Sequence, residues 1–194
     1  MVLSNKGLIM VTGAARSGKS HFAELWARNV AESVYFIATC VPQDEEMLVR
    51  VEHHRQRRPA AWVTIEEALD PAQAIAEYDA PERVFILDCL TLLVTNWLLG
   101  RESTAYQQEI LQRVERLAKT AQNARAKVII VTNEVGWGIV PADRLSRDYR
   151  DVLGRANQIM AAYADEVYLM VSGLALELKT LSTPLNTAGK LAAE

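Results

Sequence analysis

The sequence predicts an α/β fold: a mostly parallel β-sheet with helices on both faces. Three observations carry this. Short runs rich in Val, Ile and Tyr recur without alternating with polar residues, as strands buried on both faces do. Polar, helix-like stretches separate the runs. The first run leads into a glycine-rich turn that opens a helix.

The apolar runs are "LIMVTG" (8–13), "VYFIAT" (34–39), "VFILD" (84–88), "KVIIVTN" (127–133) and "EVYLMVSG" (166–173). Helices are expected over 19–31, about 43–58, 90–99, 103–125 and 143–163. In "YQQEILQRVERLAKTAQNARAK", Ile110, Leu111, Val114, Leu117 and Ala118 recur at three-to-four spacing and mark one buried face. No internal repeat or low-complexity block breaks this order. A length of 194 residues suits one large domain over 1–194, with 1–7 and 180–194 as peripheral extensions. The tail after Lys179 is small and polar and is expected to be loose.

Half the residues are hydrophobic and 23% are charged, enough to build a packed core. A net charge of −3 argues against nucleic-acid binding by bulk attraction. No apolar run reaches membrane-spanning length, and the N-terminus lacks a signal-peptide layout. Cys40 and Cys89 have no metal-ligand spacing and read as buried thiols in a reducing cytoplasm.

"GAARSGKS" fits G-x-x-x-x-G-K-[ST] in full, between an expected strand and an expected helix. Gly13, Ala14, Ala15, Arg16, Ser17, Gly18, Lys19 and Ser20 are therefore expected to bind nucleotide. Successive backbone N–H groups point into one concavity, and the helix N-terminus adds positive dipole. Lys19 would reach the β- and γ-phosphates, and Ser20 would offer its hydroxyl to Mg²⁺. Asp88 ends "VFILD", where an acidic residue beside the loop would hold Mg²⁺ directly or through water. As a compatible alternative, Asp88 would N-cap the helix of "CLTLLVTNWLL". Together these features predict a P-loop NTPase of the RecA-like kind.

The loop alone does not say what happens to the triphosphate. A GTPase switch is disfavoured, because "DCLT" and "TNEV" stand where D-x-x-G and N-K-x-D are expected. A small-molecule kinase or nucleotidyltransferase suits the size best. One stretch is left over: "VEHHRQRRPAAW", with His53 and His54 ahead of Arg55, Arg57 and Arg58. Taken alone it reads as a solvated helix face.

With "GAARSGKS", "YFIAT", "VEHHRQRRPAAW", "ILDCLTLLVTN" and "VTNEVGWGIVP" in this order, residues 8 to 179 resemble the bifunctional adenosylcobinamide kinase/adenosylcobinamide-phosphate guanylyltransferases of cobalamin biosynthesis. The resemblance implies two reactions: phosphorylation of adenosylcobinamide with ATP or GTP, and transfer of GMP from GTP to adenosylcobinamide phosphate through a GMP–histidine intermediate, releasing pyrophosphate. It places the catalytic histidine at His54, beside Lys19. It places nucleotide contacts at Ala38, Thr39, Cys40, Arg55, Gln56, Arg57, Arg58, Glu66 and Asp88. It also implies a homotrimer.

Neutral imidazole is a competent nucleophile near pH 7, since its unperturbed pKa is about 6.5. Nearby arginine charge disfavours its protonated form and would neutralise part of the charge on the leaving pyrophosphate. Adjacent helical residues point about 100° apart, so only one of the two histidines can face a given phosphorus. Two glycines in "NEVGWGIVP" mark a tight or mobile loop, whose Trp137 would either stack on a flat ligand such as a corrin ring or pack at a subunit contact. Two features depart from the family pattern. Ala14 stands where many members have a second glycine, and Asp88 stands where some have glutamate, which favours a water-bridged metal contact. Two other readings share the loop: a kinase without guanylyl transfer, and a nucleotide-binding module that turns nothing over.

Overall fold

In the computed structural model, residues 7–182 are described, except 43, 44, 57, 102 and 103 and the side chains of 46–48, 50, 53 and 54. The elements in chain order are β1 (Gly7–Gly13), α1 (Lys19–Val30), β2 (Ser33–Ala38), α2 (Glu45–Gln56), β3 (Val63–Glu66), α3 (Pro71–Glu77), β4 (Arg83–Asp88), α4 (Leu90–Leu99), α5 (Tyr106–Asn123), β5 (Lys127–Val131), α6 (Arg144–Tyr163), β6 (Glu166–Val171), β7 (Leu174–Glu177) and α7 (Leu178–Leu181). The strands form one sheet in the order β3-β2-β4-β5-β1-β6-β7, parallel throughout except for β7, which turns back antiparallel on β6.

Alternate residues of each central strand feed opposite sides of this sheet, the period-two rule of strands. Leu8, Met10, Phe85, Leu87, Val128 and Ile130 pack under α3, α4, α5 and α6. Ile9, Val11, Val84, Ile86, Ile129 and Val131 pack with Ala23, Trp26 and Ala27 of α1 on the other side. Double-sided burial explains why the strands read as unbroken apolar runs. The helices begin where local chemistry satisfies their first N–H groups. Asp143 accepts from Ser146 N (2.8 Å) ahead of α6, and Asp70 caps α3 with Pro71 in the first position. Among the described residues, no helix is long and apolar enough to cross a membrane.

Four expectations need correction. No strand or helix is expected from the apolar runs over 59–83, yet β3 and α3 lie there; β3 is a four-residue edge strand with an exposed, mixed pattern. The last run stops at Val171, because Ser172 (φ 52°) and Gly173 (φ 84°) turn the chain into β7. The segment after Lys179 does not loosen at once: Glu177 accepts from Lys179 N and Thr180 N and starts α7, which runs to Leu181. Asp88 closes β4 and does not cap α4, whose N-cap position is Cys89. Of the expected extensions 1–7 and 180–194, Gly7 belongs to β1 and Thr180 and Leu181 to α7, and residues 1–6 and 183–194 lie outside the described residues.

Phe85 is fully buried at the centre of the sheet, its ring 5.6 Å from that of Tyr35. Phe85→Ala is expected to cost about 3–5 kcal/mol. Thermal denaturation followed by circular dichroism should show Tm falling by roughly 10 °C.

Candidate nucleotide site

β1 ends at Gly13 and α1 begins at Lys19, with the phosphate loop between them. Gly13 has φ 141° and lies so close to β6 that a Cβ there would sit 2.4 Å from the Met170 carbonyl oxygen and 3.0 Å from Ser17 Oγ. Only glycine fits both constraints. Arg16 (φ 59°) and Gly18 (φ 102°) bend the loop further. Ser17 N bonds to Ala14 O (3.3 Å), and Gly173 N bonds to Ser17 O (3.0 Å), so the β6–β7 turn braces the loop from outside. Ala14, Ala15 and Arg16 stay exposed on its outer rim, while Ser20 is half-buried in the first turn of α1. Lys19 is 7% exposed and donates from Nζ to Ala14 O (2.6 Å) and Ser17 Oγ (3.5 Å). Burial draws its ammonium below the ordinary lysine value, and the neighbouring Asp88 carboxylate partly offsets that.

The register gathers the other expected residues at the same edge. Ala38 pairs with Glu66 on one side and Asp88 on the other, and Asp88 pairs with Val131 of β5. These are the C-terminal ends of parallel strands, where open α/β sheets bind ligands. Thr39 is fully buried and its polar groups are occupied within the fold. Its hydroxyl donates to Cys89 O and accepts from Cys89 N (both 2.8 Å), its N–H reaches Asp88 O (3.3 Å), and its carbonyl accepts from Asn96 Nδ2 (2.9 Å). Cys40 is half-buried, not buried as its sequence context suggested, and Glu66 is exposed.

The basic segment divides. Arg55 and Gln56 are exposed at the end of α2, Gln56 donating to Glu52 Oε1 (3.0 Å). Arg58 turns inward, its guanidinium 3.4 Å from the Phe36 ring centroid, with Nε buried and unpaired among the described residues. Burial lowers its pKa, against the opposing charges of Asp88 and Glu24. Arg58 thus lies within electrostatic reach of the metal-ligand candidate. Arg57 is outside the described residues. His53 and His54 occupy consecutive positions in the last turn of α2, and their side chains are likewise outside them.

A polar cluster that the sequence reading did not single out sits at the end of β5. Glu134 N donates to Gly13 O (3.2 Å), and its Oε1 accepts from Thr12 Oγ1 (3.0 Å) and Asn157 Nδ2 (3.2 Å). Asn157 Oδ1 accepts from Thr132 Oγ1 (2.8 Å), and Asn133 N donates to Thr91 Oγ1 (2.8 Å). The available signal was a carboxylate just past a strand end, within a few residues of a β-strand's C-terminal edge. Past it, Trp137 is 73% exposed and Ile139 96% exposed.

Residues 9–178 match the family model described as cobinamide kinase / cobinamide phosphate guanyltransferase. The chain belongs to this family. It is 44% identical over 181 residues to the bifunctional adenosylcobalamin biosynthesis protein CobU of Salmonella typhimurium and 42% identical over 181 residues to that of Escherichia coli K12; each match covers 89% of this chain and 99% of the relative. In fold it is similar to the assembled ATPase EscN of the enteropathogenic E. coli type III secretion system, with a TM-score of 0.54 and 13% identity, covering 86% of this chain and 43% of that one. The fold is that of a P-loop NTPase of the RecA-like kind. In this member of the cobinamide kinase / guanyltransferase family, the phosphate loop, Ala38, Glu66, Asp88 and Arg58 converge on one sheet edge.

Gly13→Ala combines a left-handed φ with a backbone collision and is expected to cost about 1–3 kcal/mol in strain. Titration with a fluorescent GTP analogue should show affinity reduced at least tenfold. Burial pushes the Cys89 thiol up to about 12. At pH 8 only roughly one part in ten thousand is thiolate, the reactive form. A thiol reagent at that pH should therefore modify Cys40 in the native protein and Cys89 only after denaturation, with GTP slowing the Cys40 reaction.

Proposed function

We propose that this chain phosphorylates the aminopropanol hydroxyl of adenosylcobinamide with ATP or GTP. It then transfers GMP from GTP to adenosylcobinamide phosphate through a GMP–His54 intermediate, giving adenosylcobinamide-GDP and pyrophosphate. The observation that carries this reading is a complete phosphate loop at the sheet edge of a chain that aligns over nearly the full length of bifunctional relatives.

The amides of Gly13 to Ser20 and the Lys19 ammonium would cradle the triphosphate. A phosphate arriving there competes with Ala14 O for Lys19, so the charge that now closes the loop becomes the charge that binds substrate. Ser20 and Asp88 supply one hydroxyl and one carboxylate at the same edge. That donor set would suit Mg²⁺, a hard cation that favours oxygen donors, with Ser20 and Asp88 as the residues that would hold it. Bound there, Mg²⁺ would screen the phosphate charge. Arg58, held on Phe36 within electrostatic reach of Asp88, would add fixed positive charge with little reorganisation, together with Arg55 and Arg57. The His54 ring would attack the α-phosphorus as neutral imidazole, which predicts ping-pong behaviour in the guanylyl half-reaction. Two cysteines outside any disulfide suit a cytoplasmic enzyme, and the family resemblance supports a homotrimer.

Incubation with α-labelled GTP should attach acid-labile, base-stable label to the wild-type chain. His54→Ala should stay unlabelled and keep kinase activity, whereas Lys19→Ala should lose on the order of a hundredfold or more in both reactions. Absence of label on the wild type would support a kinase without the transfer step. Label on His54→Ala would move the nucleophile elsewhere.

A further inference from the structure

The kinase step sets a demand that guanylyl transfer does not. Its acceptor is an alcohol, which must give up a proton as its oxygen bonds to phosphorus. The two nucleophiles of the transfer, a neutral imidazole and a phosphate dianion, carry no such proton. A base near the γ-phosphate position is therefore needed for one reaction only. None of the residues assigned above fills that role: Asp88 is committed to the metal, Lys19 is cationic, and Glu66 ends edge strand β3, four strands away from β1 and its loop.

We propose that Glu134 is that base. This rests on the function proposed above. Strand β5 lies between β1, which carries the phosphate loop, and β4, which carries Asp88. The chain leaving β5 must therefore pass between the loop and the metal-ligand candidate. Glu134 is the third residue past its end, and its N–H bonds to the carbonyl of Gly13, the first residue of the loop.

The carboxylate is held in place on one side only. Oε1 takes hydrogen bonds from Thr12 Oγ1 (3.0 Å) and Asn157 Nδ2 (3.2 Å), and Oε2 takes none among the described residues. Behind it, Asn157 is 6% exposed in the middle of α6 and is fixed in turn by Thr132 Oγ1 (2.8 Å) and by its own bond to Asn133 O (3.1 Å). Thr12, Thr91, Thr132 and Asn157 are all buried. Buried hydroxyls and amides cost stability unless every group is bonded, and apolar residues would pack the same space at lower cost. This network has one half-buried, charged end, the Glu134 carboxylate, and it fixes the orientation of that end.

In the step proposed, the acceptor oxygen forms its bond to the γ-phosphorus while the bond from that phosphorus to the β–γ bridging oxygen breaks. The nucleoside diphosphate leaves, the hydroxyl proton passes to Glu134 Oε2, and the protonated carboxyl later releases it to water.

Glu134→Gln keeps an oxygen for Thr12 and Asn157 and removes only the basicity. Steady-state kinetics with cobinamide should show kinase kcat reduced about a hundredfold or more, with KM within about threefold. Label transfer from GTP to the chain, and from the chain to preformed cobinamide phosphate, should fall far less, by under tenfold. That residual transfer also shows that the variant is folded. Kinase kcat within tenfold of wild type, or a loss expressed in KM, would overturn the proposal. If both reactions fall together, Glu134→Asp decides. Kinase activity clearly above that of the Gln variant supports the base, and equal loss assigns Glu134 to structure alone. A wild-type chain with no cobinamide-dependent kinase activity would instead defeat the functional reading on which the proposal rests.

Discussion

Everything at this site depends on the close approach of β6 to Gly13. The Met170 carbonyl stands where any side chain at position 13 would begin, so the strand can turn out of the sheet there only with glycine. That turn starts the loop, and the loop positions α1 so that Lys19 and Ser20 open its first turn. The constraint works from both sides, because the β6–β7 turn also bonds to Ser17 O. A phosphate cradle needs N–H groups fixed before the ligand arrives, since ordering them on binding would subtract from affinity. Here the neighbouring strand does the ordering.

Two polar clamps hold the strand ends on either side of the gap between β4 and β5. On one side, Thr39 and the Cys89 backbone exchange hydrogen bonds and lock β2 to β4, with Asn96 joining Thr39 to Ala68. On the other, Thr12, Glu134, Asn157 and Thr132 lock β1 to β5 and α6. Backbone groups leaving a buried sheet lose their ladder partners, and these side chains replace them. The two clamps differ in what they leave over. The first consumes all the polar groups of Thr39, whereas the second ends in a carboxylate with one oxygen to spare.

The central strands were legible in the sequence because burial on both faces leaves long apolar runs, as in "VFILD" and "KVIIVTN". The edges were not. In β3, Val63 and Glu66 are both exposed, and in β7 Leu174 is 72% exposed, so neither carries the apolar signature of the middle of the sheet. The phosphate loop was legible from its spacing and Asp88 from its place at a strand end. His54 was not legible from physics at all: a histidine on a polar helix looks like surface, and the role proposed for it rests on the family resemblance. The Thr12–Glu134–Asn157 cluster was hidden for a different reason. Its members lie 122 and 23 residues apart in sequence, and only the sheet order brings them together.

Arg58 anchors the chain that carries the basic run. Its guanidinium lies on Phe36 of β2 and within electrostatic reach of Asp88, so the chain just past α2 is tied to the nucleotide edge. Arg58 stands four positions beyond His54. Even fully extended, that stretch spans no more than about 14 Å, and a helical turn spans much less. The backbone at position 54 is therefore kept within that distance of an arginine whose guanidinium stacks on Phe36 and whose Nε is buried. A lysine there would keep the charge but lose the planar stacking on Phe36. Within the basic run, Arg58 is thus the residue that anchors the chain following α2 to strand β2.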